Sequence, residues 1–243
     1  MWMRKFDPEI AAREAVQAAR RVVGDRLSSA TLYGSAASGE FRPGHSDVNV
    51  AFIFTTLGAP ELERLRGVHA AWEGRRIVRP LLLSAASLEQ SRDTFPLEYL
   101  LIRERHVAIY GPDPFASIAV DRSALRNQVE RVLRAQELGL AVSYVSLAST
   151  PAGAKRWAAQ AASALAASAS GLLYLSEGNV PATRKETAER CAKRFGADSA
   201  LLSSLFTHER PGGKGLPATK VLESAQSLLQ GLLREVERLD SPR

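Results

Sequence analysis

Two short polar segments of the chain combine residue types that bind phosphate and cations. Gly34-Ser35 follows an apolar run, and Ser46-Asp47 opens a second run that is rich in β-branched and aromatic residues. A glycine lets the backbone approach a phosphate closely, and Ser35 adds a hydroxyl and an amide donor. Alternate residues of a strand point to one face, so Asp47 and Asn49 project together. The alternative is an ordinary strand–turn–strand in which Asp47 caps a turn.

The order of these segments resembles the nucleotidyltransferase family, which includes the aminoglycoside nucleotidyltransferases and DNA polymerase β. In that family a Gly-Ser pair ends one strand and holds nucleotide phosphate, and an Asp-x-Asp pair on the next strand holds two Mg²⁺ ions. The resemblance implies catalytic roles at Asp47, which would also bind metal, and at Asn49. It implies nucleotide binding by four further residues: Gly34, Ser35, Gly39 and Ser46.

The chain departs from the family pattern at two of the three expected carboxylates. Asn49 stands at the second metal position, where an amide supplies an oxygen without the charge that Mg²⁺ prefers. The segment 78–81 holds no acid where the family has its third carboxylate. Asp93 or Glu98 would replace that carboxylate only if the loop folds back, and otherwise they are a surface cap and a salt-bridging strand residue. The resemblance therefore implies at most a weak Mg²⁺ site at Asp47.

The elements around these segments predict an α+β domain over residues 1–117. Asp7-Pro8-Glu9 is typical of a helix start, and Gly24 ends that helical pattern. A second helix is predicted over 58–72. A strand is predicted over 76–83, where Pro80 restricts it to an edge or a bulge. These helices and the strand at 106–110 predict a nucleotidyltransferase-like mixed sheet with flanking helices.

The rest of the chain, residues 118–243, is predicted to be an all-α helical bundle. Asp121 or Ser123 caps a helix, and a long run from Ala154 to Leu175 is rich in alanine and serine, which let a neighbouring helix pack closely. Thr183 and Glu186 form a capping box, and helices near 200–206 and 217–239 complete the set. In the family, a helical domain of this kind helps to close over the nucleotide.

Composition and charge set the class of the protein. The chain has 243 residues, of which 45% are hydrophobic, so it is long enough for two domains with real cores. Residues 1–115 carry 15 basic and 14 acidic side chains, and residues 116–243 carry 17 and 12. This basic excess suits a polyanionic partner such as nucleotide phosphates or RNA, and a solvated basic face explains it equally well.

The location of the protein is inferred from its cysteine content and apolar runs. Cys191 is the only cysteine, which permits no intrachain disulfide and is typical of a reducing compartment. The first residues lack the apolar core of a signal peptide, and no apolar span is expected to cross a bilayer. We therefore expect a cytoplasmic protein with no membrane partner, whose oligomeric state the sequence leaves open.

Two functions from different classes remain after this comparison. The first is a scaffold that binds a nucleotide or a partner with weak or lost catalysis. The second is an active Mg²⁺-dependent enzyme that moves a nucleoside monophosphate from a triphosphate to a hydroxyl of a small molecule, RNA or protein. The missing carboxylates favour the first, because function depends on the site and not on the fold.

Overall fold

The computed structural model describes residues 6–43, 46–195, 202–203, 206 and 217–240, without the side chain of residue 240. Within these ranges the strands are β1 (Leu27–Tyr33), β2 (Asn49–Phe54), β3 (Leu81–Ser84) and β4 (His106–Tyr110). The helices are α1 (Pro8–Val23), α2 (Ala59–Arg66), α3 (His69–Glu73), α4 (Ala85–Gln90), α5 (Pro96–Glu104), α6 (Arg122–Leu147), α7 (Pro151–Glu177), α8 (Arg184–Phe195) and α9 (Ala218–Asp240). The α+β prediction is confirmed, and the described part of the chain has no strand after Tyr110.

The four strands form one mixed sheet in the order β3-β2-β1-β4. β1 pairs antiparallel with both β2 and β4, and β2 pairs parallel with β3. The antiparallel register places Tyr33 opposite Asn49 on one side and opposite His106 on the other. The chain thus brings the start of β2 and the start of β4 to the end of β1, where the Gly34 turn begins.

Helix α1 starts and packs as its sequence predicts. The Asp7 carboxylate accepts hydrogen bonds from the amides of Glu9 and Ile10, at 2.8 and 3.2 Å. The buried alanines on one face of α1 belong to the same core as β1 and β2. Trp72 joins the layers, because its indole N–H donates to the Ala15 carbonyl at 3.1 Å and its ring stacks on Phe52 at 4.9 Å.

Three sequence predictions in the first 120 residues are wrong in detail. The expected strand over 76–83 is only Leu81–Ser84, because Pro80 has no N–H to donate to a ladder; β3 does lie at the sheet edge. The expected helix over 58–72 is two helices, because Gly67 ends the first. Glu98 lies on helix α5 and not on a strand, and Asp93 lies in the turn before that helix.

The chain divides into two compact units, described here separately. The first consists of the residues up to Asp93 together with Glu98–Ala119, and the second of Thr94–Leu97 together with the residues from Val120 onward. In the second unit α7 packs on α6, and α9 packs on both. Of the short helix expected near 200–206, the structure describes only three helical residues, Leu202, Ser203 and Phe206.

Helix α7 shows why its sequence is rich in small residues. A Cβ at Gly171 would lie 2.9 Å from Val129 of α6 and 2.8 Å from Leu97, so a glycine is needed for this close approach. The expectation of no bilayer-length apolar span needs correction, because α7 is long and apolar enough to cross a membrane. Its most apolar stretch is 61% buried within the protein, as the core helix of a soluble protein would be.

A carboxylate network joins α7, α8 and α9. One Glu235 oxygen accepts hydrogen bonds from the Ser176 hydroxyl at 3.1 Å and from Arg194 at 2.6 Å. Arg238 donates to both oxygens, at 2.7 and 3.0 Å. Burial alone would raise the pKa of Glu235, but the hydrogen bonds from the two arginines outweigh it and lower the pKa below the ordinary value of 4.5.

Glu235→Gln should therefore destabilise the protein by about 2 kcal/mol at pH 7, because the hydrogen bonds from the two arginines lose the negative charge of their acceptor. The lowered pKa means that the ionised carboxylate stabilises the fold above pH 4.5, and that this contribution disappears as the pH falls through the lowered value. Urea unfolding at pH 7 and in acid measures both effects. The difference between variant and wild type should shrink in acid.

Glu237→Gln is the matched control on the same helix. Its carboxylate is 59% exposed and pairs with Arg134, so its loss should cost less than about 0.5 kcal/mol. An equal loss of unfolding free energy in the two variants would show that the burial of Glu235 adds nothing to the stability that the network provides.

Candidate functional site

The site begins at the turn that follows β1. Gly34 has φ +72°, a left-handed conformation that favours glycine. A Cβ at this position would lie 2.9 Å from the side-chain nitrogen of Asn49, so Asn49 packs directly on Gly34. Gly34-Ser35-Ala36 forms a short 3₁₀ turn, in which the Gly34 carbonyl accepts from the amides of Ala37 and Ser38. Two residues chosen from the sequence, Gly34 and Asn49, therefore touch.

The segment that follows closes a loop just before β2. Gly39, with φ +76°, has no atom within 4 Å of where its Cβ would lie, so the chain is open there. Ser46 donates its amide to the Arg42 carbonyl at 2.9 Å, and its hydroxyl accepts the Arg42 amide at 3.1 Å. Two hydrogen bonds thus join Ser46 to Arg42 directly before Asp47.

Asp47 pairs with an arginine that the sequence pattern did not single out. A guanidinium nitrogen of Arg76 lies 3.8 Å from Oδ1 of Asp47, whose side chain is 57% exposed. The Arg76 Nε donates to the Ser46 carbonyl at 2.8 Å, and the Arg76 carbonyl accepts the Val48 amide at 2.9 Å. Asp47, which lies just before β2, thus already faces a cation of the same chain.

The neighbouring strand offers no further acid. Leu81 pairs with Ala51, which is two residues after Asn49, so Leu81 lies on the same face of the sheet as Asn49. All four residues of β3 are uncharged. Over the described ranges, no cluster of three His, Cys, Asp or Glu side chains could hold a metal ion. One carboxylate paired with arginine, one amide and a leucine do not fit a resident pair of Mg²⁺ ions.

A polar pair that sequence reasoning missed lies at the start of β4. The His106 Nε2 is 2.7 Å from the Asp113 carboxylate, and its Nδ1 is 2.9 Å from the Arg103 carbonyl. Both neighbours are acceptors, so the imidazole ring of His106 is held between the Asp113 carboxylate and the Arg103 carbonyl. Partial burial would raise the pKa of Asp113, but the hydrogen bonds from His106 and from the Phe115 and Ala116 amides lower it.

This pair stands at the same end of the sheet as the Gly34 turn. Asn49, Tyr33 and His106 are direct cross-strand neighbours, so their side chains share one face. Burial raises the pKa of Tyr33, and its phenol is therefore neutral at physiological pH. These three polar side chains thus form a row that borders the turn. For the His106–Asp113 pair, the only signal in the sequence was the spacing of the two residues across the Gly111-Pro112 turn.

Comparison with known proteins gives a structural match and no sequence match. Neither a protein-family model nor a curated protein sequence matches the chain. Among solved structures, the chain is similar to the spectinomycin adenyltransferase of Enterococcus faecialis, whose crystal structure contains ATP and spectinomycin. The TM-score is 0.58 over 90% of this chain and 98% of that one, with 10% sequence identity.

A likeness at 10% identity shows the fold, and residue roles do not transfer with it. The likeness covers both the sheet of this chain and the helices that follow it, since it extends over 90% of the chain. The chain therefore has the nucleotidyltransferase fold.

Proposed function

We propose that the protein binds a nucleoside triphosphate at the Gly34 turn and transfers its nucleotidyl group weakly or not at all. Ser35 and Gly39 would present backbone amides and a hydroxyl to phosphate oxygens. Gly34 would let the backbone approach the phosphate closely, while its own amide donates to the Arg105 carbonyl at 3.2 Å. Ser46 would hold the loop that carries Asp47. The observation that carries the proposal is the contact of Asn49 with Gly34. It brings the Gly34 turn and the start of β2 together, and it places an amide where the proposed site would otherwise have a charged metal ligand.

Loss of transfer follows from the chemistry that the site lacks. Nucleotidyl transfer depends on positioning and on neutralising the charge that develops on the phosphate, so it suffers more than binding when anionic metal ligands are missing. Removing one preorganised electrostatic group costs about a hundredfold to a thousandfold in rate. A single Mg²⁺ held weakly by Asp47 would have to displace Arg76 first.

An active enzyme is the second candidate, favoured by the adenyltransferase named in the structural match. In that case the acceptor is a hydroxyl of a small molecule, an RNA or a protein. A reducing, cytoplasmic location suits either candidate. Within the second unit, burial raises the pKa of the Cys191 thiol to about 12, so this cysteine stays an uncharged core residue.

Incubation of the purified protein with labelled ATP, Mg²⁺ and a panel of aminoglycosides, RNAs and proteins tests the proposal. We expect saturable ATP binding and no labelled product. Turnover that disappears in Asp47→Ala would overturn the proposal and establish the active enzyme. Turnover lost only in Glu98→Ala or Asp93→Ala would show that an acid outside the sheet supplies the third carboxylate.

A further inference from the structure

Arg76 has a left-handed backbone conformation, which glycine adopts far more often than other residues do. It is the one non-glycine residue with positive φ in the described ranges, at +64°. The Ile77 amide bonds to the Trp72 carbonyl at 2.9 Å and the Arg76 amide to the Glu73 carbonyl at 2.8 Å, which is the pattern of a helix end closed by a left-handed residue. An arginine here carries strain that a glycine would not.

The Arg76 side chain is directed onto the segment that carries Asp47. Its Nε and its carbonyl hold the segment at both ends, through the Ser46 carbonyl and the Val48 amide, and one terminal nitrogen faces Asp47. Within the described ranges, the other terminal nitrogen of Arg76, Nη1, makes no hydrogen bond or ion pair. The side chain is 33% exposed. A strained residue held by three contacts is fixed in place and retains donor capacity.

The charge of this arrangement differs from that of a metal site. A metal site needs several anions that are neutralised only when the ion arrives. Here the guanidinium already balances Asp47, and neither Asn49 nor Leu81 adds negative charge. Near the Gly34 turn, a triphosphate would therefore meet the fixed Arg76 guanidinium beside Asp47. An uncharged amide and an apolar side chain stand where metal ligands would be, Asn49 and Leu81. The Glu40 carboxylate at this turn accepts from the Ser38 hydroxyl at 3.4 Å. Guanidinium groups bind phosphate oxygens through two parallel hydrogen bonds.

We propose that Arg76 takes the place of the metal ion, so that the site binds nucleoside triphosphate without Mg²⁺. The inference rests on the proposed function, since it concerns the same nucleotide. It adds that the positive charge that neutralises the phosphates comes from Arg76 and not from a metal ion. Mg²⁺ then brings no gain, because a metal bound at Asp47 would displace the arginine and replace one cationic contact by another.

Isothermal titration with ATP, once with Mg²⁺ and once with EDTA, separates the possibilities. We expect dissociation constants that agree within about threefold. ATP binding that is at least tenfold tighter with Mg²⁺ would overturn the metal-free inference and leave the proposed function intact. Absence of binding in both buffers would remove the proposed function itself.

Arg76→Gly tests the residue without endangering the fold, because glycine relieves the left-handed strain. This variant should keep or raise the melting temperature and should weaken ATP binding about tenfold to a hundredfold in EDTA. Arg76→Lys should restore part of the affinity, since it keeps the charge.

The matched control is Arg75→Ala, which removes the adjacent cation. Arg75 pairs with Glu14 at 2.7 Å and donates to the Ala71 carbonyl. ATP affinity should not change in this control. An equal loss in Arg75→Ala and Arg76→Gly would show that only the net charge of the protein matters, and unchanged affinity in Arg76→Gly would exclude any role of the residue.

Discussion

Asn49→Asp combined with Leu81→Glu should raise the affinity of the protein for Mg²⁺ by tenfold or more. The register places Leu81 opposite Ala51, on the same face of the sheet as Asn49, and Asp47 precedes Asn49 by two residues. The double variant therefore has three carboxylates near the start of β2, where the wild type has one. Carboxylate oxygens are the ligands that Mg²⁺ prefers, and three negative charges outweigh the pairing of Asp47 with Arg76. Isothermal titration calorimetry of Mg²⁺ into the wild type and the variant measures the gain in affinity.

The choice of Leu81 refines what the sequence indicated. Arg79 and Pro80 precede β3, so their backbone is not held by the ladder, whereas Leu81 is paired with Ala51. Leu83→Glu with Asn49→Asp is the control, since Leu83 shares the face but lies about 7 Å farther along the strand. Equal Mg²⁺ affinity in both double variants would mean that the added charge acts at long range and that no site is formed.

Gly111→Ala should destabilise the protein by about 3 kcal/mol or more. Gly111 ends β4 with φ +69°, and an added Cβ would lie 2.1 Å from the Ser28 carbonyl oxygen of β1. The left-handed strain accounts for about 1 kcal/mol, and the remainder comes from displacing backbone at the pairing of two strands. Urea unfolding of the variant against the wild type gives the value.

Gly24→Ala isolates the strain from the clash. Gly24 has φ +57° and ends α1, but a Cβ there would meet nothing within 4 Å. This variant should lose only about 1 kcal/mol. A similar loss in the two variants would mean that β4 shifts freely to make room for the methyl group.

Local patterns explain which parts of the fold were predictable from sequence. The Asp7 cap and the helices described after residue 120 depend on residues close in the chain, and these predictions agree with the structure. Arg76 could not be found this way, because it reaches Ser46 across 30 residues and only through a left-handed backbone. The sequence does not distinguish Arg76 from the adjacent Arg75, whose side chain pairs with Glu14 instead.

The His106–Asp113 pair was hidden for a related reason. The two residues meet only because the chain reverses at Gly111, and a seven-residue spacing has no meaning without that turn. The strand β3 was overestimated because its apolar run begins before Pro80, while the hydrogen-bonded ladder begins after it. Apolar composition predicts burial, and the backbone N–H decides how much of a run can pair.

The shortness of β3 also affects whether separate molecules of the protein can associate through the edge of the sheet. An apolar strand on the outside of a sheet is a template onto which another chain can add by main-chain pairing, and Leu81-Leu82-Leu83 has the composition that promotes such aggregation. Pro80 blocks the strand at one end, and Ser84 turns the chain into α4 at the other by accepting the Ser87 amide. Four residues are too few for a stable intermolecular ladder, so the proline that interrupts the apolar run also limits the pairing of this edge with another molecule.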